Sequence, residues 1–339
     1  MSKISYSIII PVRKIGDFIT KENLPSFEKL SLINFEVILL PNSKSSIDKI
    51  LLEKYRWLKI IATHKITRPA QKRNIGAEKS EGEILAFIDD DAYTSPKWLT
   101  KANEIFKNNK IDAVCGPGVL PPNTNLWEKT FDQILNSNLG SGGFTYRFTK
   151  QKARYVDDFP SMNFLIRKKI FLGLGGFDND YWPGEDSKLC EMLVYKNRGL
   201  IFYHPDVFIY HHRRNNLRDF LRQHSQYGFH RGAFYSHGDK NSKSIVYFIP
   251  SIFILYLICI AVFTGLNQFN FNIFYYISLL PLIFYFVAIL INSSIATIKS
   301  KNVWIGILSI GVMFFMHLVY GLYFLKGVFV GWHKKESIY

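Results

Sequence analysis

The stretch EGEILAFIDDDAYTSP, Glu81 to Pro96, decides how this chain folds. Its apolar run Ile84-Leu85-Ala86-Phe87-Ile88 has the length and composition of a buried strand. The run ends in three consecutive aspartates, Asp89, Asp90 and Asp91. Adjacent carboxylates at the end of a core strand repel one another and resist desolvation unless something positive, or water, sits among them. A metal ion, a basic side chain and a solvated surface turn all answer that requirement. Thr94-Ser95-Pro96 has the form of a helix start, with Ser95 as N-cap and Pro96 at the first helical position. The three carboxylates therefore belong to a short strand-to-helix loop.

Outward from this stretch the pattern repeats. YSIIIPV, FEVILLP, LKIIAT and IDAVCGP are further short runs rich in Ile and Val. RPAQKRNIGAEKSEG and SPKWLTKANEIFKNN between them read as helices. Alternating strands and helices imply an α/β fold with a mainly parallel sheet covered on both faces. Ligands of such sheets bind at the carboxyl ends of the strands, near a switch in strand order. The aspartates lie at such an end. Hard divalent cations such as Mg2+ or Mn2+ take carboxylate oxygens together with substrate phosphates, so the triplet is a candidate clamp for a diphosphate.

Lys and Arg total 42 against 27 Asp and Glu, a net charge of +15, which favours anionic partners. Cys115, Cys190 and Cys259 have no paired spacing, which argues against a disulfide framework or a zinc site. From Ile245 to Ile298 there is no charged residue at all. Ile245–Gly265, Ile273–Ala296 and Val303–Leu325 each have the length of a membrane crossing, about 20 residues. His317, Gly321 and Gly327 leave the third segment open to an interfacial or re-entrant course. The chain thus divides into residues 1–240, a soluble domain, and 241–339, about three apolar helices with a short basic tail at Lys334 and Lys335. Residues 213–243 hold seven Lys or Arg against two Asp, so the positive-inside rule puts the soluble domain in the cytoplasm, at the cell membrane. No nucleic-acid recognition motif accompanies the charge, and the basic excess lies beside the apolar half, so nucleic acid is not expected as a partner.

The order of four motifs resembles the family 2 glycosyltransferases: SIIIPVRKIGDFI, then Arg73-Asn74-Ile75-Gly76, then Gly82-Glu83 followed by the strand and aspartates, then FPSMNFLIRKKIFLGLGGFDNDYWPGED. The resemblance covers most of residues 5 to 240 and implies a GT-A fold with a nucleotide-sugar donor and a divalent metal, Mn or Mg. It implies donor contacts at Pro11, Val12, Arg73, Asn74, Asp89 and Asp90, and metal ligation by Asp91 with Asp89. Asp186 is the implied catalytic base and Glu185 its assistant, with Asn163 and Trp182 on the acceptor side. The second strand departs from the family pattern, ending in Pro41-Asn42-Ser43 where an aspartate is usual.

Sugar transfer needs a stabilised leaving diphosphate and a base that takes the acceptor's proton. Glu185 and Asp186 follow Gly184 at a helix start, where acidic side chains also simply favour the helix dipole. His211 and His212 are adjacent on a short β-like run and face opposite ways, so at most one completes a metal shell; His211 is the candidate. Gln223, Tyr227 and Arg231 share one helical face in a segment similar to the juxtamembrane part of succinoglycan-type enzymes, and are expected beside the acceptor or lipid. The expected reaction is sugar transfer, with inversion, to a polyprenyl-linked sugar or growing glycan, with membrane lipids as further partners. A polyprenyl-phosphate glycosyl synthase and an inactive membrane scaffold are the alternatives.

Overall fold

The computed structural model describes residues 5–31, 34–181, 183–266 and 273–331. Trp182 and the tail at Lys334 and Lys335 lie outside the described residues. In chain order the first elements are β1 (Tyr6–Pro11), α1 (Leu24–Glu28), β2 (Phe35–Leu40), α2 (Ile47–Lys54), β3 (Leu58–Ile60) and α3 (Pro69–Lys79). There follow β4 (Ile84–Ile88), β5 (Ala92–Thr94), α4 (Trp98–Phe106), β6 (Ala113–Cys115), β7 (Gly118–Val119), α5 (Leu126–Leu135) and α6 (Asn138–Ser141). Next come β8 (Arg154–Val156), β9 (Asn163–Arg167), α7 (Lys168–Gly173), α8 (Glu185–Glu191), β10 (Ile201–Tyr203) and β11 (Ile209–His211). The last are α9 (Leu217–His237), α10 (Ile249–Leu266), α11 (Ile273–Ser278), α12 (Leu280–Ser300) and α13 (Val303–Val330).

Residue contacts gather these into two compact units, 1–121 with 146–212, and 122–145 with 213–333. The boundary expected at residue 240 falls inside the second unit, because α9 packs along α13 there. Two glycines let the backbones approach there: a Cβ on Gly232 would sit 2.2 Å from the Phe324 carbonyl oxygen, and one on Gly327 2.0 Å from that of Phe229.

In the first unit an eight-stranded sheet runs β3-β2-β1-β4-β9-β6-β10-β8. β1, β2, β3 and β4 are parallel, as are β6 and β10, whereas β9 runs antiparallel between β4 and β6. The α/β, mainly parallel expectation holds. β4 is buried at every position, as its unbroken apolar run requires. Strand order switches between β1 and β4, so Pro11 and the aspartates end neighbouring strands at a topological switch point.

The segment after the aspartates corrects one expectation. Helix α4 begins at Trp98 with Lys97 at its N-cap, not at Pro96. Ala92–Thr94 instead form β5, which pairs antiparallel with β11 in a second, three-stranded sheet. That register sets His211 opposite Ala92, beside the triplet.

In the second unit two helices, Tyr275–Ser300 and Val303–Val330, are long and apolar enough to cross a membrane. The first expected segment forms only the shorter apolar helix α10, preceded by a 3-10 turn at Ile245–Tyr247. The third segment is one continuous helix. His317 is accommodated within it by the Tyr285 hydroxyl at 2.9 Å and the Leu139 carbonyl at 3.0 Å.

Candidate active site

The ends of β1, β2 and β4 border a cleft of 440 Å³, lined by Pro11, Val12, Asn42, Thr67, Lys72 and Asp90 among others. Sequence reasoning missed Lys72. This lysine is 1% exposed, and its ammonium donates to the carbonyls of Val12 (2.6 Å) and Leu40 (2.9 Å) and to Asn42 Oδ1 (2.5 Å). It ties the ends of β1 and β2 together where the family's aspartate is absent. Burial pushes its ammonium down to about 8, opposed by the Asp90 carboxylate. Burial, then Asp91 and Asp89, push Asp90 up to about 7.

Beside the cleft, one oxygen each from Asp89 and Asp91 and one nitrogen of His211 lie within 4.8 Å of one another. His211 Nε2 is 3.0 Å from Asp91 Oδ1 and 3.9 Å from Asp89 Oδ2. Two carboxylate oxygens and an imidazole nitrogen are a donor set that suits a divalent cation. His212 turns the other way, to Glu22 at 2.9 Å, with Phe18 packed on its ring. The two adjacent histidines thus part to opposite sides, as strand geometry requires.

Arg73 joins this cluster to the Glu185-Asp186 pair. Arg73 is 4% exposed, and its guanidinium donates to Asp89 Oδ1 at 2.6 Å and Glu185 Oε1 at 3.1 Å. Phe177 covers it at 5.7 Å. Glu185 is 5% exposed, and burial and Asp186 raise its carboxyl, while Arg73 holds it down. Asp186 accepts from the backbone N–H groups of Ser161 (3.2 Å) and Ser187 (2.8 Å), so its orientation is fixed. Its carboxyl is raised by burial and by Asp158, a second residue that the sequence did not point to. Asp158 is itself held by Ser187 Oγ at 2.9 Å and Arg147 at 3.1 Å.

Other expected residues serve differently. Asn74 spends its amide on the backbone N–H and carbonyl of Phe177, clamping the Gly175-Gly176-Phe177 turn rather than reaching the cleft. Gly176 has φ +77°, and a Cβ there would lie 2.7 Å from Asn74 Oδ1, so any side chain would strain this turn. Asn163 is a correction: it is fully buried and holds the carbonyls of Gly116 and Val207 and the Trp98 indole N–H, leaving no surface for an acceptor. In the second unit, Gln223, Tyr227 and Arg231 all lie on α9. Tyr227 is exposed, whereas Arg231 stacks 4.6 Å above Tyr247 and donates to Ser242 Oγ at 3.2 Å.

Residues 7–175 match the family model described as Glycosyl transferase family 2. The pre-mycofactocin glycosyltransferase of Mycobacterium tuberculosis is 26% identical over 160 residues, 47% of this chain and 33% of its own length. Glycosyltransferase AglE of Haloferax volcanii is 24% identical over 207 residues, 59% of this chain and 65% of its own. The chain therefore spans between a third and two thirds of the length of these relatives. A third relative matches nearly end to end. It is the dolichyl N-acetyl-alpha-D-glucosaminyl phosphate 3-beta-D-2,3-diacetamido-2,3-dideoxy-beta-D-glucuronosyltransferase of Methanococcus voltae, 23% identical over 96% of this chain and 97% of its own. Among solved structures, the mannosyltransferase of Pyrobaculum calidifontis, in complex with GDP-Man and Mn2+, shares the fold with a TM-score of 0.60. It is 12% identical, covering 95% of this chain and 87% of that one.

Proposed function

Since the chain belongs to the family 2 glycosyltransferases, we propose that it moves a sugar from a nucleotide-sugar donor to a lipid-linked or polysaccharide-precursor acceptor, with inversion, at the cytoplasmic face of the cell membrane. The observation that carries this reading is the single chain of contacts from His211 through Asp91 and Asp89 to Arg73, Glu185 and Asp186. Carboxylates that would repel one another are held together by one guanidinium beside a cleft at a switch point.

In this reading Asp89, Asp91 and His211 hold a divalent cation, Mn2+ or Mg2+, which when bound offsets the charge of the leaving diphosphate. The nucleoside lies in the cleft against Pro11, Val12 and the Lys72–Asn42 pair. Asp186, oriented by two backbone N–H groups, takes the proton of the acceptor hydroxyl. Its raised carboxyl brings the base nearer to neutral pH, where proton transfer is most effective. Glu185 holds Arg73, and Arg73 keeps Asp89 in place. A base opposite the leaving group gives direct displacement and inversion.

The acceptor reading is supported by the names of two relatives, the Methanococcus voltae enzyme above and the glucosyl-dolichyl phosphate glucuronosyltransferase of Haloferax volcanii, both of which act on lipid-linked sugars. Membrane attachment is supported by the apolar residues exposed along α12 and α13, such as Phe284, Ile291, Ile298 and Phe329. Water would disfavour such a surface, whereas lipid favours it. The basic residues from Arg213 to Lys243 support the cytoplasmic side.

The test is transfer in isolated membranes, with a panel of nucleotide-sugars and a polyprenyl-diphosphate-linked sugar as acceptor. Asp186→Asn is expected to abolish extension of the lipid-linked sugar. Sugar appearing on bare polyprenyl phosphate, undiminished in Asp186→Asn, would overturn the acceptor assignment in favour of the polyprenyl-phosphate synthase.

A further inference from the structure

The second unit contains a cleft of 310 Å³ between the α5–α6 region and the charged end of α12. Gln133 and Asn138 enter it from one side, and Asn292, Ile295 and Lys299 from the other. Asn292 Nδ2 donates to the Ala288 carbonyl, which leaves its Oδ1 for another partner. Among the described residues, Gln133, Asn138 and Lys299 have no side-chain partner. No carboxylate lines the cleft, and Asp132, next to Gln133, is neutralised by Arg213 at 2.9 Å. With Asn136, whose Nδ2 donates to Asp132 Oδ2 at 2.8 Å, the cleft thus offers four amides and one unpaired ammonium, a surface for an anionic group that also carries hydroxyl or ester oxygens.

The apolar side of the cleft leads elsewhere. Phe284, Val287, Ile291, Ile295 and Ile298 recur at three- and four-residue steps along α12 and are all exposed. They form one stripe, of which Ile295 is both a member and a wall of the cleft. Lys299 stands where the uncharged run ends, at the level expected for a headgroup. A polar cleft with one cation, opening onto an apolar stripe on a helix long enough to span a bilayer, has the form of a site for an amphiphile.

We propose that this cleft holds the phosphate headgroup of a membrane lipid, with Lys299 on the phosphate, the Gln133 and Asn138 amide N–H groups on its neighbouring oxygens, Asn292 Oδ1 accepting from a headgroup hydroxyl, and the lipid tail along the Phe284–Ile298 stripe. The inference rests on the membrane reading above but not on catalysis. A phospholipid and a polyprenyl phosphate share this chemistry.

The experiment is native mass spectrometry of the delipidated full chain in detergent, titrated with phosphatidylglycerol, phosphatidylcholine or a polyprenyl phosphate. Lys299→Gln is expected to weaken phosphatidylglycerol binding about fivefold, and Lys299→Gln with Asn292→Leu to weaken it further. Lys301→Gln, outside the cleft, should bind as the parent does. Gln133→Leu serves as a second variant should the double variant not fold. Displacement of phosphatidylglycerol by an equimolar polyprenyl phosphate would identify the isoprenoid as the resident lipid, and resistance to it would identify the phospholipid. Equal binding of phosphatidylcholine and phosphatidylglycerol, or parental affinity in the cleft variants, would overturn the site. Release of the protein from membranes by an alkaline carbonate wash would instead overturn the membrane reading.

Discussion

Replacing Arg73 by Met removes the cation that, among the described residues, holds Asp89 and Glu185 together. The substitution keeps most of the apolar stem against Phe177 and deletes two charge-assisted hydrogen bonds, of 2.6 and 3.1 Å. The Glu185 side chain is 6% exposed and cannot recruit water, whereas that of Asp89 is 32% exposed and can. Most of the cost therefore falls on Glu185. Stranding one buried partner of an ion pair costs about 3–5 kcal/mol, less whatever Glu185 recovers by taking up a proton, which its raised carboxyl makes easier. For a domain of this size about 1 kcal/mol moves the midpoint by about 2–4 °C, so Arg73→Met should lower it by roughly 6–20 °C before that recovery. The decisive variant is the double one. Glu185→Gln removes the stranded charge, so Arg73→Met/Glu185→Gln should regain most of the lost stability while remaining inactive. Scanning fluorimetry in detergent of the parent, both single variants and the double gives the coupling directly. A midpoint within 1 °C of the parent in Arg73→Met, or a double variant no more stable than Arg73→Met, would refute the argument that this guanidinium holds the carboxylates together.

Three further outcomes are expected at other sites. Asp158→Asn removes the like charge that helps raise Asp186, so the acid limb of kcat/KM should move to lower pH; an unmoved limb would separate Asp158 from the base. Burial holds His224 neutral, its imidazole lowered to about 4 against 6.5 when exposed. Since the unfolded chain takes up that proton first, stability is complete above pH 6.5 and falls toward pH 4 by up to about 3 kcal/mol, a slope that His224→Gln should flatten in pH-dependent melting. Gly176→Ala should cost about 1–3 kcal/mol through its positive φ and the Asn74 contact, measured as a lowered melting temperature.

Much of the fold was legible because the strands it depends on are continuous apolar runs. β1, β2, β3, β4 and β6 all lie within the runs read as strands, and α3 within the RPAQKRNIGAEKSEG segment. What escaped reading depends on pairing between distant residues. β5 is three residues long and exists only because β11 lies beside it, which is why α4 begins two residues later than its apparent N-cap signal. β9 enters the middle of the sheet antiparallel, and Asn163 at its start becomes a core fastener rather than a surface residue. Lysine is almost never fully buried unless paired, so nothing in the sequence marked Lys72 as the tie between two strand ends. The acidic cluster was more visible, since repelling carboxylates require a partner whatever the fold. That His211 rather than His212 faces the aspartates depended on the register of β11 against β5.

Asp89, Asp91 and His211, beside the Pro11–Lys72 cleft, are proposed to form a metal-dependent donor site. Calorimetry of the detergent-purified full chain with UDP-, GDP- and dTDP-sugars, with and without Mn2+, next to Asp91→Asn, tests it most directly. One nucleotide class should bind, binding should require the metal, and Asp91→Asn should lose it while keeping the parental melting profile. Folded protein that binds none of these donors in the presence of Mn2+, or an Asp91→Asn variant that binds as the parent does, would contradict it.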